Sequence, residues 1–152
     1  MRIVFGMIML LAAGCQSAPA TSDLSPERVV EQFMWDYTKA WNRHDSATIA
    51  RDFYRTGPSI EEQTASLERG FESLRGQGYH HSNIFEVKGC MTGADEAWAA
   101  MKFSRLKENG EPLPPDVRAS SYTLKKFADG WRITNVGAGG VSADQPLACP
   151  AG

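Results

Sequence analysis

The sequence predicts an α+β fold in which three N-terminal helices pack on a curved antiparallel sheet. The main observation is a change of hydrophobic period. Apolar residues recur at helical spacing up to residue 76, and they alternate with a period of two from residue 79 onward. Short turns separate the strand-like segments, which favours antiparallel neighbours over the long crossovers that parallel strands need. At 152 residues the chain has the size of a single domain.

Each predicted helix begins at a residue suited to capping. Ser25 precedes Pro26 and Glu27, which gives the first helix a hydroxyl cap, a proline of preset φ and an acid at the positive end of the helix dipole. Asp45 is placed to cap a second helix, and Ser59 starts a capping-box pattern that opens the third. The apolar face predicted for the first helix comprises Val30, Phe33, Met34, Tyr37, Ala40 and Trp41.

Four later segments have the alternation of β-strands, at 80–87, 96–107, 118–127 and 131–136. Turn sequences rich in Gly, Asp and Asn separate them, and the prolines at 112, 114 and 115 exclude a central strand there. In the second strand, one face carries Ala97, Ala99, Met101 and Phe103, and the other carries Trp98, Lys102 and Ser104. Helices first and strands afterwards place the helices on one face of the sheet.

The N-terminus has the features of an export signal. Residues 1–14 contain one charge, an apolar run too short to span a bilayer, and small residues just before Cys15. The segment 11–15 resembles the lipobox of bacterial lipoproteins, in which the cysteine is acylated, although Ala12 stands at the usual leucine position. The alternative is ordinary secretion with cleavage after residues 18–20. Residues 15–24 form a tether, 25–137 the domain and 138–152 a C-terminal tail.

Charge and motifs exclude several function classes. Sixteen basic against eighteen acidic residues give a net charge of −2, so we expect no nucleic-acid partner. No phosphate-cradling loop, Gly-x-Ser-x-Gly or Cys-x-x-Cys is present, and we expect no cofactor. His80 and His81 are adjacent on a predicted strand, where neighbours point to opposite faces, so we also expect no metal site.

Two cysteines remain once Cys15 is lipidated. Export would place Cys90 and Cys149 in an oxidising compartment, where disulfides persist. We expect them to pair and to hold the tail against the strand region near Gly89. The alternative is a buried free Cys90 and a loose Cys149.

The chain resembles the nuclear transport factor 2-like (NTF2-like) superfamily, and more narrowly its SnoaL-like bacterial members. The resemblance rests on the helix ending 40–45, the short second helix, and the segment 122–133 with its closing Asp-Gly-Trp-Arg-Ile. It implies a cone-shaped α+β barrel with a pocket at the open end. Members of the superfamily include isomerases, cyclases and dehydratases as well as binding modules, so the fold leaves the chemistry open.

The resemblance also implies candidate site residues. By analogy with ketosteroid isomerases, Tyr37 occupies the position of the oxyanion donor and Glu61, or Glu62, that of the base, while the second acid falls near Thr123, which is no acid. The simpler interpretation is that Tyr37 lines a core or cavity and that the two glutamates only stabilise a helix start. The expected pocket residues are Tyr37, Trp41, Phe53, Phe71 and Tyr122.

Two functions remain open at this point. One is a lipid-tethered module that binds a small apolar or amphipathic molecule, or acts as an accessory protein. The other is a small cofactor-independent isomerase, cyclase or dehydratase that uses acid-base chemistry. The superfamily often dimerises through the outer face of its sheet. The second predicted strand has large residues on both faces, with Met101 and Phe103 on one and Trp98 on the other, and we therefore expect a homodimer.

Overall fold

The computed structural model describes residues 24–151. Helix α1 spans Pro26–Asn42, and α2 spans Ser46–Thr48 and continues into a π-helical turn at Ile49–Phe53. Helix α3 spans Ile60–Gly76. The strands are β1 (His81–Met91), β2 (Glu96–Leu106), β3 (Arg118–Phe127) and β4 (Gly130–Val136). The predicted α+β class and element order are therefore confirmed.

The helix starts follow the capping chemistry of the sequence. The Ser25 hydroxyl accepts from the backbone N–H of Arg28, and the Asp45 carboxylate accepts from that of Thr48. Ser59 and Glu62 form a complete capping box at the start of α3, in which each side chain accepts from the backbone of the other. These bonds satisfy amides that a helix start otherwise leaves without partners.

The four strands form one antiparallel sheet in the order β1-β2-β3-β4. Bulges at Phe85 of β1 and Thr134 of β4 shift the register and increase the local twist of the sheet. Helix α1 lies closest to β1, where a Cβ added at Gly89 would come within 2.7 Å of the Glu27 carbonyl oxygen. Only glycine allows this close approach of helix and strand.

Strand β1 extends four residues beyond the predicted end at Val87. Residues 88–91 continue the ladder, and the last pair joins Met91 to Ala97 of β2. Glycine is unfavourable inside a strand by propensity. In the fold, the packing of α1 against Gly89 favours the strand conformation instead.

The two faces of the sheet are covered by different parts of the chain. The concave face packs Ala97, Ala99 and Met101 against the buried side chains of α1 and α3. On the convex face, Trp98 and Ala100 form a separate cluster with Cys90 of β1 and Leu147 of the tail. The tail therefore covers the apolar residues of this face from within the same chain.

A disulfide joins Cys90 to Cys149, with a Cα–Cα distance of 5.7 Å. It attaches the C-terminal tail to β1 beside Trp98, which is only 6% exposed. Trp98, one of the large residues from which a homodimer was expected, is therefore covered by the tail of its own chain. The homodimer remains a prediction without that support.

The signal segment, Cys15 and the start of the tether lie outside the described residues. Between residues 24 and 151, no helix is both long and apolar enough to cross a membrane.

Candidate functional site

A cavity of about 130 Å³ lies between α1 and the concave face of the sheet. Helix α1 contributes one wall, and alternate residues of β1, β2 and β3 contribute the other. The lining combines aromatic and aliphatic side chains with a few polar groups, as small-molecule sites usually do. The lining residues are Tyr37, Thr38, Trp41, Asn42, Tyr54, Ser82, Ile84, Met101, Phe103, Arg105, Ser120, Tyr122 and Val136.

Three tyrosines meet in the lining of this cavity. The hydroxyl oxygens of Tyr37 and Tyr54 are 2.9 Å apart and share a hydrogen bond, and the rings of Tyr37 and Tyr122 meet edge to face at 5.8 Å. Tyr54 reaches this position because a short parallel bridge pairs it with Ile133 of β4. The cluster combines an apolar surface with hydroxyl groups that can donate or accept.

Burial raises the pKa of Tyr37 well above its ordinary value, and interactions with Tyr54 and Tyr122 raise it further. Burial is also the main reason why the pKa values of Tyr54 and Tyr122 are raised. All three phenols therefore remain protonated at physiological pH. They can form neutral hydrogen bonds to a ligand, but a raised phenol pKa weakens their ability to stabilise an oxyanion.

A hydrogen-bond network fixes the adjoining wall. The Trp41 indole N–H donates to the Tyr79 hydroxyl at 3.1 Å, and that hydroxyl lies 2.9 Å from the Ser82 Oγ. The Asn42 side chain forms two hydrogen bonds of 2.9 Å with the backbone of Ser82, one as donor and one as acceptor. These contacts join the end of α1 to the start of β1 and hold Trp41 in place.

Arg105 lies where this cavity meets a second depression. The second depression, about 340 Å³ in volume, opens toward α3 and shares Trp41, Tyr54 and Arg105 with the first. In the described part of the chain, no Asp or Glu lines either space. Among residues 24–151, no carboxylate forms an ion pair with Arg105, and its buried Nε has no hydrogen-bond partner.

The structure brings three of the five expected pocket residues to the cavity. Tyr37, Trp41 and Tyr122 line it. Phe53 does not, because it is buried behind Tyr37 and packs between that ring and Phe33. Phe71 does not either, because it lies beneath Trp41 with the ring centroids 4.7 Å apart and borders the second depression instead.

The expectation that Glu61 supplies a base at the cavity is wrong. Glu61 and Glu62 are exposed on the first turn of α3, and neither lines the cavity. The Glu62 carboxylate accepts from the backbone N–H of Ser59, and this bond is the first cause of its lowered pKa. The capping role fixes the direction of this turn and keeps its acids in solvent. Thr123 pairs with Trp98 across the sheet, so it lies on the convex face and also misses the cavity.

The two histidines also differ from the expectation. His80 precedes β1 rather than belonging to it, and the Nδ1 atoms of His80 and His81 lie 3.0 Å apart instead of on opposite faces. Within the part of the chain that the structure describes, no three His, Cys, Asp or Glu side chains are grouped so that they could hold a metal ion.

Arg105 and Tyr54 are the important site residues that the sequence interpretation missed. The signal for Arg105 was present in the alternation Ala97, Ala99, Met101 and Phe103, because one further step of two reaches residue 105. Tyr54 had no such signal, since its position depends on pairing with a strand almost eighty residues away.

Fold and cavity together define an α+β cone with a small pocket of aromatic, aliphatic and polar side chains between its first helix and its sheet. A family model described as "NTF2-like protein (DUF6841)" matches residues 26–139. The chain therefore belongs to this NTF2-like family. No curated protein sequence matches it.

Solved structures of low sequence identity share the fold. One is an NTF2-like protein with a cystatin-like fold from Novosphingobium aromaticivorans, with a TM-score of 0.56 and 14% identity, covering 77% of this chain and 85% of that one. The protein Aln2 from a Streptomyces species has a TM-score of 0.54 and 16% identity, covering 74% and 90%. A ketosteroid isomerase-like protein from Erwinia carotovora atroseptica has a TM-score of 0.51 and 20% identity, covering 72% and 91%. At these identities the likeness concerns the fold alone.

Proposed function

We propose that this protein binds a small, mainly apolar molecule in the cavity between α1 and the sheet, and that it does so at the bacterial cell envelope. The observation that carries the proposal is the tyrosine cluster of Tyr37, Tyr54 and Tyr122 in the lining of a mainly apolar space. An apolar cavity of about 150 Å³ can take up a benzene-sized molecule. The present volume of about 130 Å³ is of that order.

The polar lining supports binding over acid-base catalysis. It consists of hydroxyl groups, one amide and one guanidinium, and no Asp, Glu or His lines the cavity among the described residues. A general base must reach the proton that it removes and needs a pKa near the working pH. The tyrosine hydroxyls have raised pKa values, which suits them to orient a ligand rather than to exchange protons with it.

The location at the envelope is supported by residues at both ends of the chain. The apolar N-terminal run ends at Cys15, where lipid attachment would anchor the domain by a short tether. The disulfide between Cys90 and Cys149 suits an oxidising compartment outside the cytoplasm. An exported periplasmic or secreted protein is the alternative. If Cys15→Ser leaves the amount of protein in the membrane pellet unchanged, anchoring through this residue is refuted.

The binding proposal is tested with benzyl alcohol and cyclohexanone, which combine a ring of suitable size with one oxygen. We expect either compound to raise the melting temperature of the wild type. We expect Tyr37→Phe to weaken binding by about 0.5–1.5 kcal/mol, the usual range for a neutral hydrogen bond. Ser121→Ala is the control, because it also removes one buried hydroxyl group, but Ser121 pairs with Ala100 on the convex side of the sheet and does not line the cavity.

Titration calorimetry on the wild type and both variants gives the affinities. If neither compound binds at millimolar concentration, the proposal is refuted. An equal loss in Tyr37→Phe and Ser121→Ala would place the binding outside the tyrosine cluster.

A further inference from the structure

The arrangement around Arg105 gives the cavity a chemical polarity. Met101, Phe103 and Arg105 follow one another on the concave side of β2, with a rise of roughly 7 Å for each step of two residues. Met101 is next to Tyr122, whose hydroxyl points to the methionine sulfur at 3.7 Å. The cavity is thus aromatic and aliphatic toward Met101 and cationic toward Arg105.

The positive charge at this end has no counterion in the described part of the protein. Arg105 forms no ion pair with a carboxylate among residues 24–151, and its Nε is buried without a partner. Arg118, which follows the loop before β3, faces the same side of the sheet as Phe103 in the strand register. Burial lowers the pKa of Arg118, and the like charge of Arg105 adds to this effect.

A partly desolvated guanidinium without a counterion is unfavourable, and an anionic ligand relieves this cost. The guanidinium is planar and presents parallel N–H donors that match the two oxygens of a carboxylate. The distance along β2 between the apolar end and the cation suits a molecule with one ring or a short branched chain attached to its acid group.

We propose that the ligand class of this cavity is a small monocarboxylate, with its apolar body against Met101 and Phe103 and its carboxylate on Arg105. This inference rests on the proposed binding function and specifies its ligand. The neutral hydroxyl groups of the tyrosine cluster then orient the body of the ligand, and Arg105 selects for the charge.

The test compares benzoate with benzamide, its neutral analogue of nearly the same shape, on the full chain purified in detergent at pH 7.5. Calorimetry should show benzoate binding to the wild type at least about tenfold more tightly, since a charge-assisted hydrogen bond is stronger than a neutral one. Arg105→Gln should make the two affinities equal. Arg69→Gln is the matched control, because Arg69 is exposed on α3 and lines none of the described cavities, and it should keep the preference.

Equal affinities in the wild type, or a preference for benzoate that survives Arg105→Gln, would overturn the inference while leaving the proposed function intact. If benzoate, benzamide and benzyl alcohol all fail to bind, both the inference and the proposed function are refuted. Competition by inorganic phosphate as strong as that by benzoate would show a general anion site and also overturn it. If Arg105→Gln does not fold, Arg105→Lys is measured, and it should lower the benzoate preference because the ammonium lacks the fork of donors.

Discussion

The disulfide between Cys90 and Cys149 should contribute a large part of the stability of this small domain. It closes a loop with a sequence separation of 59 residues that includes β2, β3 and β4. A cross-link restricts the unfolded chain, and for a loop of this size the chain-entropy account gives about 4 kcal/mol at 25 °C. This is a substantial fraction of the roughly 5–15 kcal/mol by which domains are usually stable.

The perturbation is the double variant Cys90→Ala/Cys149→Ala, compared with the oxidised wild type by urea unfolding. We expect the free energy of unfolding to fall by about 4 kcal/mol. Adding dithiothreitol should destabilise the wild type by a similar amount and leave the double variant unchanged, which controls for effects of the reductant. A difference below about 1 kcal/mol between the oxidised wild type and the double variant would refute the assignment of this stability to the cross-link.

The tail contacts can be separated from the covalent bond. Leu147 is 9% exposed and packs with Trp98 and Ala100 on the convex face. In the oxidised protein Leu147→Ala should cost roughly 2 kcal/mol, at the lower end of the range for buried leucines, because its site borders the surface. If that variant is as stable as the wild type, the tail is held by the disulfide alone.

Two further variants test the packing of α1 and the environment of its C-terminal end. Gly89→Ala should destabilise the fold by about 1–3 kcal/mol in denaturant unfolding, because its Cβ would lie 2.7 Å from the Glu27 carbonyl oxygen. Gly70 of α3 has open space around it, so Gly70→Ala should instead stabilise the fold by roughly 0.5–1 kcal/mol. If both alanines have the same effect, the close approach is not the cause. His44 stacks on Phe71, and burial lowers its pKa. The neutral imidazole therefore contributes stability above the unfolded-state pKa of about 6.5, and this contribution is lost as the pH falls through the pKa of the folded state. His44→Asn, which tolerates the positive φ of this position, should flatten the decline in melting temperature between about pH 7 and 5, and an unchanged slope would contradict this account.

The α+β class, the helix starts and most strand positions were predictable from the sequence because they depend on local chemistry. Capping at Ser25, Asp45 and Ser59 requires only residues within three positions of one another. The alternation in β2 required only the period of two, and it already placed Met101 and Phe103 on one face. Tyr37 was assigned to the inner face of α1 for the same reason, from helical spacing alone.

The composition of the cavity depended on the tertiary structure. Counting residues from the analogous enzymes placed a base at Glu61, but the capping box keeps that turn of α3 in solvent. Phe53 and Phe71 are aromatic residues on suitable helix faces, yet their rings pack against neighbouring aromatic rings in the core and do not line the cavity.

The sequence by itself determined which residues are helical or extended and which face of each element is apolar, because periodicity and capping act over a few residues. Only the tertiary structure decided that Tyr54 joins Tyr37 through a bridge to β4, that the tail covers Trp98, and that Arg105 reaches the cavity with no carboxylate partner among the described residues. These features depend on distances between segments far apart in the chain, and such distances are fixed when the helices pack on a bulged, twisted sheet.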